Sequence, residues 1–141
     1  MALERVSLPA TVKVQRSGLR NLPRVLAGER QLEMVFYNLI DNALTAMKGA
    51  GELRFSGTWQ GDEVIITVAD SGPGVPPEIQ PHIFDFSPKP ITVNRPQSQR
   101  LGFGLWWVKT LIDRFDGRLL LTSEPGQGAT FQICLPAEKR Q

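Results

Sequence analysis

Cysteine is almost missing from this chain. Cys134 stands alone among 141 residues, which excludes an internal disulfide and a cysteine metal cluster. It sits in the alternating run Thr130-Phe131-Gln132-Ile133-Cys134-Leu135, so a buried strand thiol is the expectation rather than a nucleophile. Neither charge sign is in excess. Sixteen Lys and Arg face fourteen Asp and Glu for a net charge of +2, and the basic residues are scattered, which argues against a nucleic-acid partner. No apolar run approaches the ~18 residues of a membrane span. The start, Met1-Ala2-Leu3-Glu4-Arg5, lacks the basic-then-apolar pattern of a signal peptide. The chain is expected to be cytoplasmic, one domain over residues 1–141, with an ordinary apolar fraction of 41%.

What is present is a clear succession of elements. Thr11-Val12-Lys13-Val14 alternates like a short strand, and Pro23-Arg24-Val25-Leu26 suggests another. From Gln31 to Met47, the residues Leu32, Val35, Phe36, Leu39, Ile40, Ala43, Leu44 and Met47 follow the 3,4 spacing of an amphipathic helix, ended by Gly49-Ala50-Gly51. Glu52–Trp59 and Glu63–Asp70 alternate as a hairpin about Gln60-Gly61-Asp62. Residues 71–101 carry little periodicity and hold most of the eleven prolines, the pattern of a lid or a disordered loop. Helical spacing returns from Gly104 to Phe115, with Gly117 predicted as the left-handed cap. Arg118–Ser123 and Ala129–Leu135 form a last hairpin. This order predicts an α+β fold: a two-layer α/β sandwich with helices on one face of a mainly antiparallel sheet.

Three segments carry chemistry. Asn38 and Asn42 stack at i and i+4 beside the apolar stripe of the first helix. Asparagine is a mediocre helix former, so the pair reads either as solvated amides or as amide oxygens aimed into a cleft as hard ligands, of which Mg²⁺ takes one or two. Asp70 ends a strand and is followed by Ser71-Gly72-Pro73-Gly74. An ionised carboxylate there could read an exocyclic amine such as adenine's, or could simply form the turn. Gly102-Phe103-Gly104 precedes a helix, where free N–H groups make a phosphate site, although such a glycine pair also serves packing alone. No phosphate loop ending in Gly-Lys-Ser/Thr and no full dinucleotide fingerprint is present.

Taken in order, these segments resemble the catalytic ATP-binding domain of sensor histidine kinases, in the superfamily shared with DNA gyrase and MutL. The resemblance runs from about residue 28 to 136. Gln31-Leu32…Phe36-Tyr37-Asn38-Leu39-Ile40-Asp41-Asn42-Ala43 is similar to the family's asparagine box, and Val68-Ala69-Asp70-Ser71-Gly72-Pro73-Gly74-Val75-Pro76 to its first glycine box. Ile83-Phe84-Asp85-Phe86-Ser87-Pro88-Lys89 resembles the phenylalanine box, and Leu101-Gly102-Phe103-Gly104-Leu105 the second glycine box. Gly117-Arg118…Ser123-Glu124-Pro125-Gly126-Gln127-Gly128-Ala129-Thr130-Phe131…Leu135-Pro136 resembles the closing hairpin. The resemblance implies the Bergerat ATP-binding fold, a mixed, mainly antiparallel sheet with about three helices on one face and a long lid, with ATP and Mg²⁺ as cofactors. Asn42 would ligate Mg²⁺, Asn38 would support the metal or phosphates, and Lys89 would contact phosphate. Asp70, with Thr130 beside it, would hold the adenine amine, next to Gly72 and Gly74. Residues 82–101 would be the lid. Thr45 and the run Arg100-Leu101-Gly102-Phe103-Gly104-Leu105 complete the implied ATP site.

The same resemblance frames the function. Water-activating members carry a glutamate one turn before the metal asparagine as a general base, and here that position is Asn38. The implied activity is therefore transfer of the γ-phosphoryl group to a histidine on a separate phosphoacceptor domain, with a response regulator downstream. His82, the sole histidine, lies in a proline-flanked loop without the acceptor motif's acidic neighbour and reads as passive. The chain is accordingly expected to be a fragment of a longer kinase, inactive alone, monomeric and without membrane contact of its own. The alternative is a non-catalytic interaction module with weakened nucleotide binding. It is motivated by Arg100 where the family has glycine, by Pro88, Pro90 and Pro96 in the lid, by Thr45 where a basic residue is common, and by the adjacent Trp106 and Trp107, one of which could be exposed for docking.

Overall fold

The computed structural model describes residues 10–20, 22–85 and 104–138. Among them the elements run β1 (Val12–Ser17), α1 (Glu29–Ala46), β2 (Gly51–Gln60), β3 (Glu63–Asp70), a 3-10 turn (Gln80–His82), α2 (Gly104–Arg114), β4 (Arg118–Ser123) and β5 (Ala129–Pro136). The strands form one sheet in the order β1-β2-β3-β5-β4. β1 lies parallel to β2, and every other pairing is antiparallel. Parallel neighbours need a crossover, and α1 provides it. The Pro23–Leu26 segment is not a full strand: Val25 makes a single antiparallel bridge to Ala137.

The sheet's alternation sorts its side chains. Leu53, Phe55, Val64, Val68, Phe131, Ile133 and Leu135 are buried on one face, while their neighbours Arg54 and Gln132 lie on the other. Onto the buried face α1 brings Val35, Leu39, Ile40 and Ala43, and α2 brings Leu105, Val108, Leu111 and Ile112. Each of these Val, Leu and Ile side chains contributes about 2 kcal/mol by leaving water. The two layers share one apolar core. Two α-helices are present among the described residues rather than about three. The stretch where a third could stand holds Pro76, Pro77 and Pro81 and forms only the 3-10 turn.

Both helices end in the same way, and one ending corrects a sequence-based expectation. In α1 the Gly49 N–H donates to the Leu44 carbonyl and the Lys48 N–H to Thr45; in α2 Gly117 donates to Ile112 and Asp116 to Asp113. These are Schellman pairs, whose left-handed position falls one residue before the glycine. Lys48 (φ 55°) and Asp116 (φ 57°) occupy it. Gly117 is therefore not the left-handed cap. It is glycine for room, because a Cβ there would lie 2.5 Å from the Cys134 carbonyl oxygen.

Candidate functional site

The site is built at one end of the sheet, where β3 delivers Asp70. This is the one buried charged residue among those described, at 8% exposure. Its Oδ1 accepts the Gly72 N–H at 2.8 Å, turning the chain sharply out of the strand. The Ser71 hydroxyl accepts the Glu52 N–H at 2.9 Å and contacts the Met47 sulfur at 3.6 Å. A Cβ on Gly72 would lie 3.4 Å from Met47 Cγ and 3.5 Å from the Ala46 carbonyl carbon. The turn after Asp70 is thus seated on the end of α1, the helix that carries both asparagines.

On α1, Asn38 and Asn42 are half-buried and one turn apart. Asn38 Nδ2 donates to the Met34 carbonyl at 2.8 Å. One N–H of that amide serves its own helix, and its oxygen is an acceptor or a hard ligand. The Thr45 hydroxyl donates to the Asp41 carbonyl at 2.9 Å. No group of three or more His, Cys, Asp or Glu side chains able to grip a metal occurs among the described residues. Two amide oxygens suit a cation that also takes phosphate and water, as Mg²⁺ does.

The β4–β5 hairpin closes the opposite side. Gly126 N–H donates to the Pro73 carbonyl at 2.7 Å. Gly74 (φ 81°) lies so near the hairpin that a Cβ would stand 2.5 Å from the Glu124 carbonyl oxygen. Gly128 (φ 82°) is tighter still: a Cβ there would lie 2.0 Å from the carbonyl oxygen of Asp70. The register corrects one expected neighbour. Asp70 pairs with Ala129, whereas Thr130 pairs with Ala69. Thr130 therefore lies on the outer face of the sheet with Thr122, away from the Asp70 carboxylate. The signal was present in the sequence, since Ala129, Phe131 and Ile133 alternate with Thr130 and Gln132.

α2 packs against α1 and begins at Gly104 (φ 47°), with Leu105 in the core. Lys89, Arg100, Leu101, Gly102 and Phe103 lie outside the described residues, as does the expected lid beyond residue 85. Trp106 and Trp107 are both half-buried, their ring centroids 6.2 Å apart, and Trp107 packs on the core with Arg114 over its ring. Neither is the exposed docking tryptophan considered above. His82 Nδ1 stands 2.9 Å from Asp85 Oδ2, an acidic partner three residues on that the sequence motif did not suggest; both side chains are exposed. Cys134 is buried, as expected, on the outer face opposite Ile65 and Arg118. Burial above all, and then the Glu63 carboxylate, raises its thiol pKa against the opposing influence of Arg118.

The chain that carries this buried acid, asparagine helix and glycine-led helix is similar to known proteins. The profile of the family described as histidine kinase-, DNA gyrase B- and HSP90-like ATPase matches residues 27–139. The chain belongs to this family. It is 36% identical to the alginate biosynthesis sensor protein KinB of Pseudomonas aeruginosa over 115 residues, covering 82% of this chain and 19% of that protein. It is 33% identical to the adaptive-response sensory kinase SasA of Parasynechococcus marenigrum over 138 residues, covering 96% of this chain and 36% of that one. The fold superposes on the mycobacterial sensor histidine kinase MprB with a TM-score of 0.78 at 19% identity, covering 99% and 91% of the two chains. Full-length ShkA, solved in complex with AMPPNP, gives a TM-score of 0.73 at 28% identity, covering 92% of this chain and 26% of that one. The chain is thus an ATP-binding domain of the histidine kinase type, and it spans between a fifth and two-fifths of the length of these curated relatives. No helix among the described residues is long and apolar enough to cross a membrane.

Proposed function

We propose that this domain binds ATP with Mg²⁺ and transfers the γ-phosphoryl group to a histidine presented by a separate phosphoacceptor domain. The observation that carries the reading is Asn38. It occupies the turn of α1 before Asn42, where a water-activating relative would hold a carboxylate, and its nitrogen is bonded to the helix itself. An amide cannot accept the proton of an attacking water at neutral pH, so the domain's own chemistry favours a docked nucleophile. Asn42, supported by Asn38, would hold Mg²⁺, which supplies charge neutralisation at the phosphates. Asp70 accepts from the adenine amine, and the tight backbone at Gly72 and Gly74 keeps side chains from the base.

Rate enhancement then comes from positioning and electrostatics, with no covalent intermediate on this chain. Lys89 and the Arg100–Leu105 segment would close over the triphosphate. Sensor kinases such as the relatives above suggest the partners: a histidine-bearing dimerisation domain of the parent protein and a response regulator. On this reading the domain is cytoplasmic and monomeric. The rival reading, an interaction module without productive nucleotide binding, loses one of its grounds because Trp106 and Trp107 are both half-buried.

Calorimetric titration with an ATP analogue and Mg²⁺ tests the binding step. Transfer of labelled phosphate to a phosphoacceptor-histidine domain supplied in trans tests the chemistry. Absence of binding at millimolar nucleotide would overturn the enzyme reading. Binding without transfer to any acceptor domain, together with steady release of free phosphate, would favour a hydrolase.

A further inference from the structure

One hydroxyl ties together the two loops that flank Asp70. Residues 71–80 leave β3, residues 124–128 join β4 to β5, and Ser123 ends β4. Ser123 Oγ accepts the Val75 N–H at 2.8 Å and donates its own proton to the Gly128 carbonyl at 2.9 Å. Gln80 Nε2 then donates to the carbonyls on either side of the junction, Val75 at 2.8 Å and Ser123 at 3.1 Å. The strand register puts Ser123, Ala129 and Asp70 in a single row on the helix-facing side of the sheet. Neighbouring strands stand about 4.8 Å apart, so Ser123 is roughly 10 Å from the acid it would serve.

That distance rules out direct contact with a base held at Asp70, yet the hydroxyl controls what surrounds the acid. Gly128, whose carbonyl it holds, is the residue packed onto the Asp70 backbone. Val75, whose amide it holds, ends the glycine turn that Asp70 itself starts through Gly72. A hydroxyl has one proton to give and lone pairs to accept with, and here both capacities are used to join the two loops, with the Gln80 amide as a second side-chain donor at the same junction.

We propose that Ser123 is a positioning residue for base recognition: it fixes the Asp70 carboxylate and the 72–75 turn in the geometry that selects adenine, with Gln80 as its brace. The proposal rests on the nucleotide reading above. It predicts an effect on the choice of base, because a carboxylate reads adenine's amine and meets only a carbonyl at the same place in guanine.

The test measures ATP and GTP affinity of the full chain with Mg²⁺ by calorimetry, alongside thermal midpoints. Wild type should prefer ATP. Ser123→Ala should bind ATP about tenfold more weakly and narrow the ATP-to-GTP ratio by a similar factor, the scale of losing a hydrogen-bonded preorganisation. Ser123→Thr, which keeps the hydroxyl, should restore both. Gln80→Met should narrow the ratio by roughly threefold and serves if Ser123→Ala does not fold. A merely structural hydroxyl would lower the thermal midpoint while leaving the ratio unchanged, and an unchanged ratio in both variants overturns the proposal. Wild type that binds neither nucleotide would overturn the nucleotide reading itself, a result separable from failure of the Ser123 proposal.

Discussion

At the scale of single residues, Asp70 offers an unusually clean substitution. Its Oδ1 already accepts the Gly72 N–H, and an asparagine oxygen accepts the same bond, so Asp70→Asn preserves the turn. What it changes is the charge and the donor that would face an incoming amine. Affinity for ATP should fall by about 2 kcal/mol, roughly thirtyfold, the value of a hydrogen bond to a charged group, with the thermal midpoint of the free protein nearly unmoved. Calorimetry beside a melting curve checks both halves, and a variant binding as tightly as wild type would remove Asp70 as the base reader. Thr130 makes the complementary case. Because its side chain is on the outer face with Thr122, Thr130→Val should leave ATP affinity within about twofold. A loss as large as that of Asp70→Asn would show that the outer face communicates with the site.

At the scale of elements, the helix ends carry the next prediction. Asp116 holds a left-handed conformation (φ 57°) in which an L side chain meets a steric cost of about 1 kcal/mol that glycine, without a Cβ, does not. Asp116→Gly should therefore stabilise the domain by about 0.5–1 kcal/mol. Gly117→Ala should do the reverse by more than 1 kcal/mol, since its Cβ would be forced to within 2.5 Å of the Cys134 carbonyl unless β5 shifts. Urea denaturation of the pair measures both signs. The case also shows what the sequence could convey. An Asp-Gly after an apolar helical run announces the stop, but which of the two residues goes left-handed depends on the space left by β5, a partner distant in the chain. α1 and the two hairpins were legible because each is specified by local periodicity. The parallel pairing of β1 with β2 was not, because nothing near Val12 encodes a neighbour that lies beyond an entire helix. In the site, Asn38, Asn42 and Asp70 were legible as residue types in a spacing. The Ser123–Val75–Gln80 bonds were not, since they join segments more than forty residues apart.

At the scale of the whole molecule, the site and the core cannot be stabilised separately. Asp70 ends a strand whose Val64 and Val68 lie in the core, and the asparagine helix inserts Val35, Leu39, Ile40 and Ala43 into the same interior. A ligand bridging α1 and the Asp70 turn would therefore hold elements that must come apart on unfolding, and binding should register as global stability. At free ATP·Mg a hundredfold above its dissociation constant, linkage adds about 2.7 kcal/mol to the folded state. For a chain of this size that corresponds to a rise in thermal midpoint of roughly 8 °C. The same nucleotide should give Asp70→Asn a much smaller rise, because its dissociation constant is no longer far below the ligand concentration. A wild-type midpoint that does not move at millimolar ATP·Mg would separate this chain from the nucleotide-binding behaviour of its family, and would favour the interaction-module reading over phosphoryl transfer.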